Sequence, residues 1–550
     1  VRILKHVSEY VYSELSTHPQ APPLPPADPP AARDKVRAMA EIAVIGAGMG
    51  AMAASARLAL AGHRVTVHER SGTHGGGVRR LERDGFGFDT GPGVLHLPAV
   101  YRDLFLKTGR RKLEKCVELV PVDPAERHVF PDGTAATLPN ASRAGVVRAL
   151  DAAAGPGAGE AWTALLDRGR RVWEAARRPL VEEPLPADPG ALAADFYPAA
   201  PPPPARGLLR RLRAPRPAAP PATVADVGAG ELGAYPVLGA LLAQHALAYG
   251  FDPRHAPAGT AMLPYVQETF GGWYVRGGIR ALADALYERC LERRIAFAFG
   301  TEVVAVRVGA DGRAAGVELA GGGRADADAV IAGVPRARLA ELAPGAYADG
   351  APRAARAVPA RMTVCLALRG ARDGDAVHRT VVHSPDAAGE LAWIFDARPG
   401  TDVSPTVTVL RPDDPALRPD DGHEAVTLTA VVPAGAWADG GEKAAEAFAD
   451  RMVAAAGRAV PGLAERVLWR EVRTPADIAA ETGAPGGAVP GPALAGAGGA
   501  YLAQPNATAV PGLYAVGGWS HPGGGLAHAG MSGALVAGLI MEGADFRGSR

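Results

Sequence analysis

The stretch Glu41-Ile-Ala-Val-Ile45-Gly46-Ala47-Gly48-Met49-Gly50-Ala51, with Arg64-Val-Thr-Val-His68-Glu69 beyond it, decides the fold. Ile42 to Ile45 is a short apolar run of the kind a buried parallel strand shows. The glycines that follow open a helix-compatible segment ending near Gly62, and a second strand-like run ends in an acid. Each residue type has a steric or electrostatic reason to stand where it does. Gly46 makes the tight turn, Gly48 lets a pyrophosphate approach the backbone, and Ala51 takes the third position, where helix and strand pack closely. The backbone from Ala47 through Met49 and Gly50 offers N–H groups and the partial positive charge of a helix N-terminus to an anion. Glu69 stands 23 residues after Gly46, where an acid bonds ribose hydroxyls and disfavours a 2′-phosphate, so FAD or NAD fits better than NADP. Arg70 follows at the same strand end.

Outward from this unit, composition narrows the function. The chain has 550 residues with 58 basic and 58 acidic side chains, so it exerts no bulk pull on a polyanion, and nucleic acid is not an expected partner. An apolar share of 48% supports a globular core, and the length predicts two or three compact units. With 69 glycines and 50 prolines, part of the chain must be loop or linker. Cys116, Cys290 and Cys365 stand far apart with no CxxC and no metal-ligand spacing. That excludes a disulfide framework and a structural zinc, and a reducing, cytoplasmic setting is expected. No stretch passes the length test for a membrane span. Residues 1–38 form a Pro-rich, disordered N-terminal extension without the features of a secretory signal, and translation is expected to begin near Met39. A second Pro-rich segment carries Arg206, Arg210, Arg211, Arg213 and Arg216 interleaved with leucines. It is either a solvated loop or a peripheral contact with an anionic membrane at the cytoplasmic face. From Thr482 to Met541 there is no charged residue, as expected of backbone packed around something uncharged or already neutralised.

Further motifs follow in order. Gly75-Gly76-Gly77 is succeeded by Leu81-Glu-Arg-Asp-Gly-Phe-Gly-Phe-Asp-Thr-Gly91-Pro92, then Gly271-Gly-Trp-Tyr-Val-Arg-Gly-Gly278, Thr301-Glu-Val303, and finally Gly512-Leu-Tyr-Ala-Val-Gly517-Gly518-Trp-Ser-His521-Pro-Gly-Gly-Gly525. On these motifs the chain, from about Ile42 to Met541, resembles the bacterial-type phytoene desaturases, the carotenoid-desaturase branch of the flavin amine oxidase superfamily. The resemblance implies an α/β architecture, a Rossmann-like FAD-binding domain with a discontinuous α+β substrate domain, and non-covalent FAD. It implies Gly75, Gly76 and Gly77 along the pyrophosphate with a cation from Arg79, Gly91, Pro92 and Gly93 beside the cofactor, and the backbone of Val303 at the adenine. It also implies Gly517 and Gly518 at the ribitol phosphate, and Gly525 and Leu526 at the start of a helix aimed at the isoalloxazine. Reduced flavin gathers negative charge near N1 and O2, which a helix N-terminus stabilises by ~0.3–1 kcal/mol.

The chain departs from that pattern at Gly77, where the family often has a cation, at Gly93, at Trp519, and in the uncharged run 498–506. These changes point to a reshaped cavity. Desaturation removes a hydride and a neighbouring proton, so it asks of the protein a dry channel and few polar groups. His521, beside the late glycine block, is the candidate catalytic residue as a proton acceptor, with a packing role as its alternative. His74 and His96 lie in cofactor-proximal segments. Tyr265, Trp273 and Tyr274 either line the substrate cavity or pack the core. No metal site is expected. The FAD domain is expected from residues 39–110, 271–345 and 490–545, with its sheet closed by Ala327–Gly333, and the substrate domain from 111–270 and 346–489. The expected function is FAD-dependent desaturation of a hydrophobic polyene or isoprenoid. The alternatives are an amine-oxidase-type enzyme or a desaturase of another secondary metabolite, and a non-catalytic flavoprotein scaffold.

Overall fold

The computed structural model describes residues 39–186, 188–198, 222–347, 358–396, 402–438 and 440–548. The N-terminal extension and the Arg206–Arg216 cluster lie outside the described residues.

Strands β1 (Glu41–Ile45), β2 (Arg64–Glu69), β9 (Ala296–Phe299), β13 (Ala329–Ala332) and β19 (Leu513–Ala515) form a parallel sheet in the order β19-β13-β1-β2-β9. The central strand β1 is buried from Ile42 to Ile45, which is why it is apolar on both faces. The expected closing strand at Ala327–Gly333 is not an edge. β13 pairs with β1 on one side and β19 on the other, because the distant Leu513–Ala515 segment returns to cover it. Beside this sheet, β10 (Val303–Val308), β11 (Ala314–Leu319) and β12 (Arg324–Asp326) form an antiparallel sheet.

A second, larger sheet joins β6 (Glu126–Val129), β7 (Ala135–Leu138), β14 (Ala360–Arg369), β15 (Arg379–Val382), β16 (Val407–Leu410), β17 (His423–Val432) and β18 (Val467–Arg473) in the order β18-β14-β17-β16-β15-β6-β7. The helix Glu442–Ala456 covers its outer face, where Met362, Val364, Leu366, Val407, Val409, Val426 and Leu428 pack with Phe448 and Met452. Two short ribbons bridge toward the parallel sheet: β3 (Arg80–Arg83) with β4 (Phe86–Asp89), and β5 (Leu119–Pro121) with β8 (Trp273–Val275). A further apolar core lies among the helices Arg143–Ala154, Ala158–Arg177, Pro236–Ala248 and Met262–Phe270. Among the described residues no helix is long and apolar enough to cross a membrane.

Candidate active site

The helix Met49–Leu60 starts at Gly48 and the helix Leu526–Glu542 starts at Gly525. Neither start has a side-chain cap or an acid in its first turn. Their N–H groups therefore await acceptors from outside the helix. The two starts lie side by side, since a Cβ on Gly50 would come within 2.9 Å of Gly517 Cα and 3.0 Å of the Ala529 carbonyl. Further along, a Cβ on Gly533 would reach the Gly50 carbonyl at 2.6 Å. Glycine on both helices thus allows two unpaired N-termini to converge, and each suits a negatively charged group.

The glycines around these starts form the walls of a cradle. Added Cβ atoms on Gly48 and Gly517 would meet no protein atom within 4 Å, although both glycines sit among packed neighbours. Gly46 takes a φ of +88° and donates its N–H to the His68 carbonyl at 2.8 Å, turning the chain out of β1. Gly75 donates to the Ala47 carbonyl at 2.8 Å, and a Cβ on Gly76 would lie 3.1 Å from Gly48 Cα. The loop at Gly91 packs in turn on Gly77, whose carbonyl would be 2.6 Å from a Gly91 Cβ. Pro92 is exposed and Gly93 abuts Leu410. Gly77 itself is exposed, with only the Thr482 methyl at 3.8 Å from its Cβ direction, so the position left without a cation is an open one.

Glu69 is buried, and its carboxylate accepts the Ala47 and Ser71 N–H groups, each at 2.8 Å. Each oxygen keeps a lone pair for a further donor such as a ribose hydroxyl. Thr301 donates to the Glu69 carbonyl at 2.9 Å, which brings the start of β10 and Val303 beside it. The two arginines expected at this end line one cavity with Ser71 and Thr301 and bond neighbouring protein groups. Arg70 donates to the Ala480 carbonyl at 2.6 Å, and Arg79 donates to those of Gly76 (2.9 Å) and Glu481 (3.2 Å).

Asn506, in the uncharged run, proves to be the pin of the late glycine block. Its buried amide donates to the carbonyls of Ala515 (3.1 Å) and His521 (2.8 Å) and to Ser532 Oγ (3.1 Å), while Ser532 Oγ accepts the Gly517 N–H at 3.0 Å. Asp89 likewise acts at a distance, accepting the N–H groups of Ile279 (2.7 Å) and Arg280 (3.2 Å) at the start of the helix Arg280–Glu292. Burial pushes its carboxyl up to about 6 despite those two donors.

The histidines separate into distinct roles. His521 is fully buried and its Nε2–H donates to the Glu183 carbonyl at 2.9 Å. Burial holds it neutral, down to about 4. His74 bonds Asp284 at 2.9 Å and stacks on Tyr287. His96 Nδ1–H donates to the Gly271 carbonyl at 3.3 Å, and its pKa is lowered by burial to about 4. His528, which sequence reasoning did not single out, sits on the first turn of the helix after Gly525. Its Nδ1 lies 3.2 Å from where a Gly525 Cβ would be, and burial lowers it to about 4. It stands three residues after Gly525, on the helix start that the late glycine block already predicts. Tyr274 is buried and donates to Asp414 at 2.7 Å, and Trp273 donates to the Phe270 carbonyl at 3.2 Å. Tyr265 is half-buried against the helical core.

On the Met262–Phe270 helix, Glu268 Oε1 accepts the Trp162 Nε1–H at 2.6 Å while Oε2 has no partner. Burial raises its carboxyl from 4.5 to about 7. Below the unfolded pKa both states are protonated and no penalty exists. As pH rises toward 7 the unfolded chain ionises first, so folded stability falls, and the loss is complete above the folded pKa. Glu268→Gln should therefore leave stability unchanged near pH ~4 and raise it by up to ~3 kcal/mol at pH ~8. Melting curves of both proteins across that range read this directly, and equal curves at high pH would refute it.

The doubly wound sheet, the two uncapped helix starts and the glycine cradle define a dinucleotide-binding oxidoreductase whose phosphates and ring would meet backbone N–H groups. A family model for flavin-containing amine oxidoreductases matches residues 52–541, and the chain belongs to that family, which binds FAD. The chain is 30% identical over 511 residues to the hydroxyneurosporene desaturase of Cereibacter sphaeroides, covering 91% of this chain and 97% of that one. To the zeta-carotene-forming phytoene desaturase of Myxococcus xanthus it is 29% identical over 394 residues, 71% and 72% of the two chains. Its fold matches the structure of putrescine oxidase bound to putrescine with a TM-score of 0.57 at 14% identity, covering 92% and 99%.

Proposed function

We propose that this flavin-dependent oxidoreductase desaturates a hydrophobic, polyene-like substrate of carotenoid or isoprenoid type. The observation that carries the reading is the absence of a fixed charge from the late glycine block together with the neutrality of His96, His521 and His528. The block itself offers a substrate ammonium no carboxylate, and its uncharged groups cost less to desolvate against a hydrocarbon segment than charged ones would. Bound non-covalently, FAD would supply a two-electron acceptor for the hydride. The residues from Gly46 to Ala51, Gly75 to Gly77, Gly91 to Gly93, and Gly517 and Gly518 would hold it, with Glu69 at the ribose and Val303 at the adenine.

The remaining work belongs to the protein's own side chains. With its Nε2–H given to Glu183, His521 ties the block to that carbonyl and keeps an unpartnered Nδ1 lone pair as a proton acceptor. His528 carries the neutral ring on the helix start, able to take the proton from the carbon beside the one that loses hydride. The parallel-sheet segments 39–110, 271–345 and 490–545 form the cofactor part in this reading, and 111–270 with 346–489 the substrate part.

Anaerobic mixing of the FAD-loaded protein with phytoene or neurosporene in vesicles should bleach the flavin absorbance, and putrescine should not. Bleaching by the amine alone would reverse the assignment.

A further inference from the structure

One face of the larger sheet looks toward the helix Pro236–Ala248 and the loop at Gly93. On that face Arg361 of β14, Thr429 of β17, Thr408 and Leu410 of β16 and Arg379 of β15 keep accessible surface. Strand register makes them one diagonal strip. Thr429 pairs with Thr408 and Leu410 with Arg379, while Arg361 stands two residues before Thr363, the partner of Thr429 on β14. With ~4.8 Å between strands and ~3.3 Å per residue, Arg361 lies ~16 Å from Leu410 along this strip. Leu410 borders the proposed cofactor site, since a Cβ on Gly93 would meet its Cδ1 at 2.5 Å.

The strip carries two guanidinium groups that differ in their partners. Arg379 pairs with Glu126, so its charge is balanced. Arg361 has no such counterpart. Its Nη2 donates to the Ala248 carbonyl at 2.8 Å and its Nη1 to the Ala360 carbonyl at 3.2 Å, and among the described residues no carboxylate pairs with it. The first acid beyond Ala248, Asp252, is held by Arg254 and His255 at 2.8 Å each. Burial lowers the Arg361 guanidinium to about 10, which leaves it charged at neutral pH.

Carbonyl oxygens solvate a guanidinium without neutralising it. The C-terminus of the helix Pro236–Ala248 adds only about half a negative charge. A cation whose whole task is to close a helix end can keep its head in water and escape the cost of desolvation. Arg361 is instead held deep in the molecule, where an uncompensated charge is expensive. Its planar fork matches an acceptor with two oxygens. One carboxylate would bring the charge of the strip to zero, whereas a diphosphate would bring more negative charge than a single free cation can balance.

We infer that Arg361 anchors a carboxylate at one end of the bound chain, whose apolar part lies across Thr429, Thr408 and Leu410 toward Gly93. The molecule desaturated here is therefore an isoprenoid or polyene acid. Because the anchor stands ~16 Å from Leu410, the bond oxidised is well down the chain and not beside the carboxyl group.

The inference rests on the desaturase reading, but its test needs no turnover. Geranylgeranoic acid and its methyl ester are titrated at neutral pH into the FAD-loaded protein, and binding is followed by tryptophan fluorescence and by the rise in melting temperature. The acid should bind at least ~10-fold more tightly, the worth of one charge-assisted hydrogen bond. Arg361→Gln, which can still donate to the Ala248 carbonyl, should keep the flavin content and bring the two affinities within ~2-fold, while Arg361→Lys should keep the acid preferred. Acetate added with the ester should not reproduce the affinity of the acid. Equal affinities in the parent protein, a preference that survives Arg361→Gln, rescue of the ester by acetate, or no binding of either compound would overturn the inference. The parent and Arg361→Lys carry the same test if Arg361→Gln does not fold. An intact preference without double-bond formation in that acid or in any polyene would instead overturn the desaturase reading alone.

Discussion

Gly48→Val should abolish FAD binding and leave the fold standing. Gly48 has a φ of −72° and a ψ of 165°, an ordinary extended conformation, so a side chain there strains nothing, unlike one at Gly46. Its Cβ would meet no protein atom within 4 Å, so the apoprotein has room for it. The space it enters is the one a pyrophosphate needs in order to reach the N–H groups at the start of the helix Met49–Leu60. A branched side chain in that space forces the phosphates away from donors that nothing else satisfies. The expected loss in FAD affinity is at least ~100-fold, about 2.7 kcal/mol. Flavin content after purification and a calorimetric titration of the apoprotein measure it, and the apoprotein's melting temperature should move by no more than a degree or two. Retained flavin would remove Gly48 from the cofactor site. An equally large fall in apoprotein melting would show that the glycine serves packing alone.

Gly533→Val makes the complementary case, in which the fold fails. A Cβ on Gly533 would lie 2.6 Å from the Gly50 carbonyl, 2.8 Å from Ala53 Cβ and 2.8 Å from Ala54 N. All three belong to the backbone, or to a methyl fixed to it, of the neighbouring helix, so no rotamer can relieve the clash. The helices Met49–Leu60 and Leu526–Glu542 must separate, and an overpacked site of this kind costs about 3 kcal/mol. In a protein of this size that lowers the melting temperature by several degrees. Because the same contact holds the two helix starts together, FAD affinity should fall with it. Gly538→Ala is the control. The three atoms nearest its Cβ would all belong to the Phe546 ring, the first at 2.2 Å, and a side chain can turn aside where a backbone cannot. A Gly533→Val protein that melts like the parent would show that the two helices are free to move apart.

The sequence carried the local half of this arrangement. A buried strand must be apolar over a few consecutive residues, and a turn under a phosphate must lack Cβ atoms. Both demands act within about thirty residues, and the segment from Glu41 to Glu69 shows them openly. The runs that became β13, β14 and β17 are readable for the same reason. That β13 is internal to its sheet was not readable, because its cover is β19, which arrives from far along the chain. The site shows the same division. Glycines announce themselves by type, so the cradle could be expected from spacing. Asn506 and the Asp89 cap could not, since each acts on partners that only folding brings near.

His521 marks the boundary most plainly. Its place beside the late glycine block is a fact of sequence, but its tautomer is set by the Glu183 carbonyl, which takes the Nε2–H from across the molecule and leaves Nδ1 as the basic nitrogen. The larger sheet shows a tertiary fact of the same kind. Thr363, Thr408, Thr429 and His128 are scattered along the chain and share a row only through strand register. By itself the sequence determined the nucleotide-binding unit, its glycine loops and the flavin family, because these follow from short-range sterics and hydrogen bonding. The tertiary structure alone decided which strands close the sheets, what pins the late glycine block, and which polar residues share a row of the larger sheet, because pairing between distant segments sets each of these.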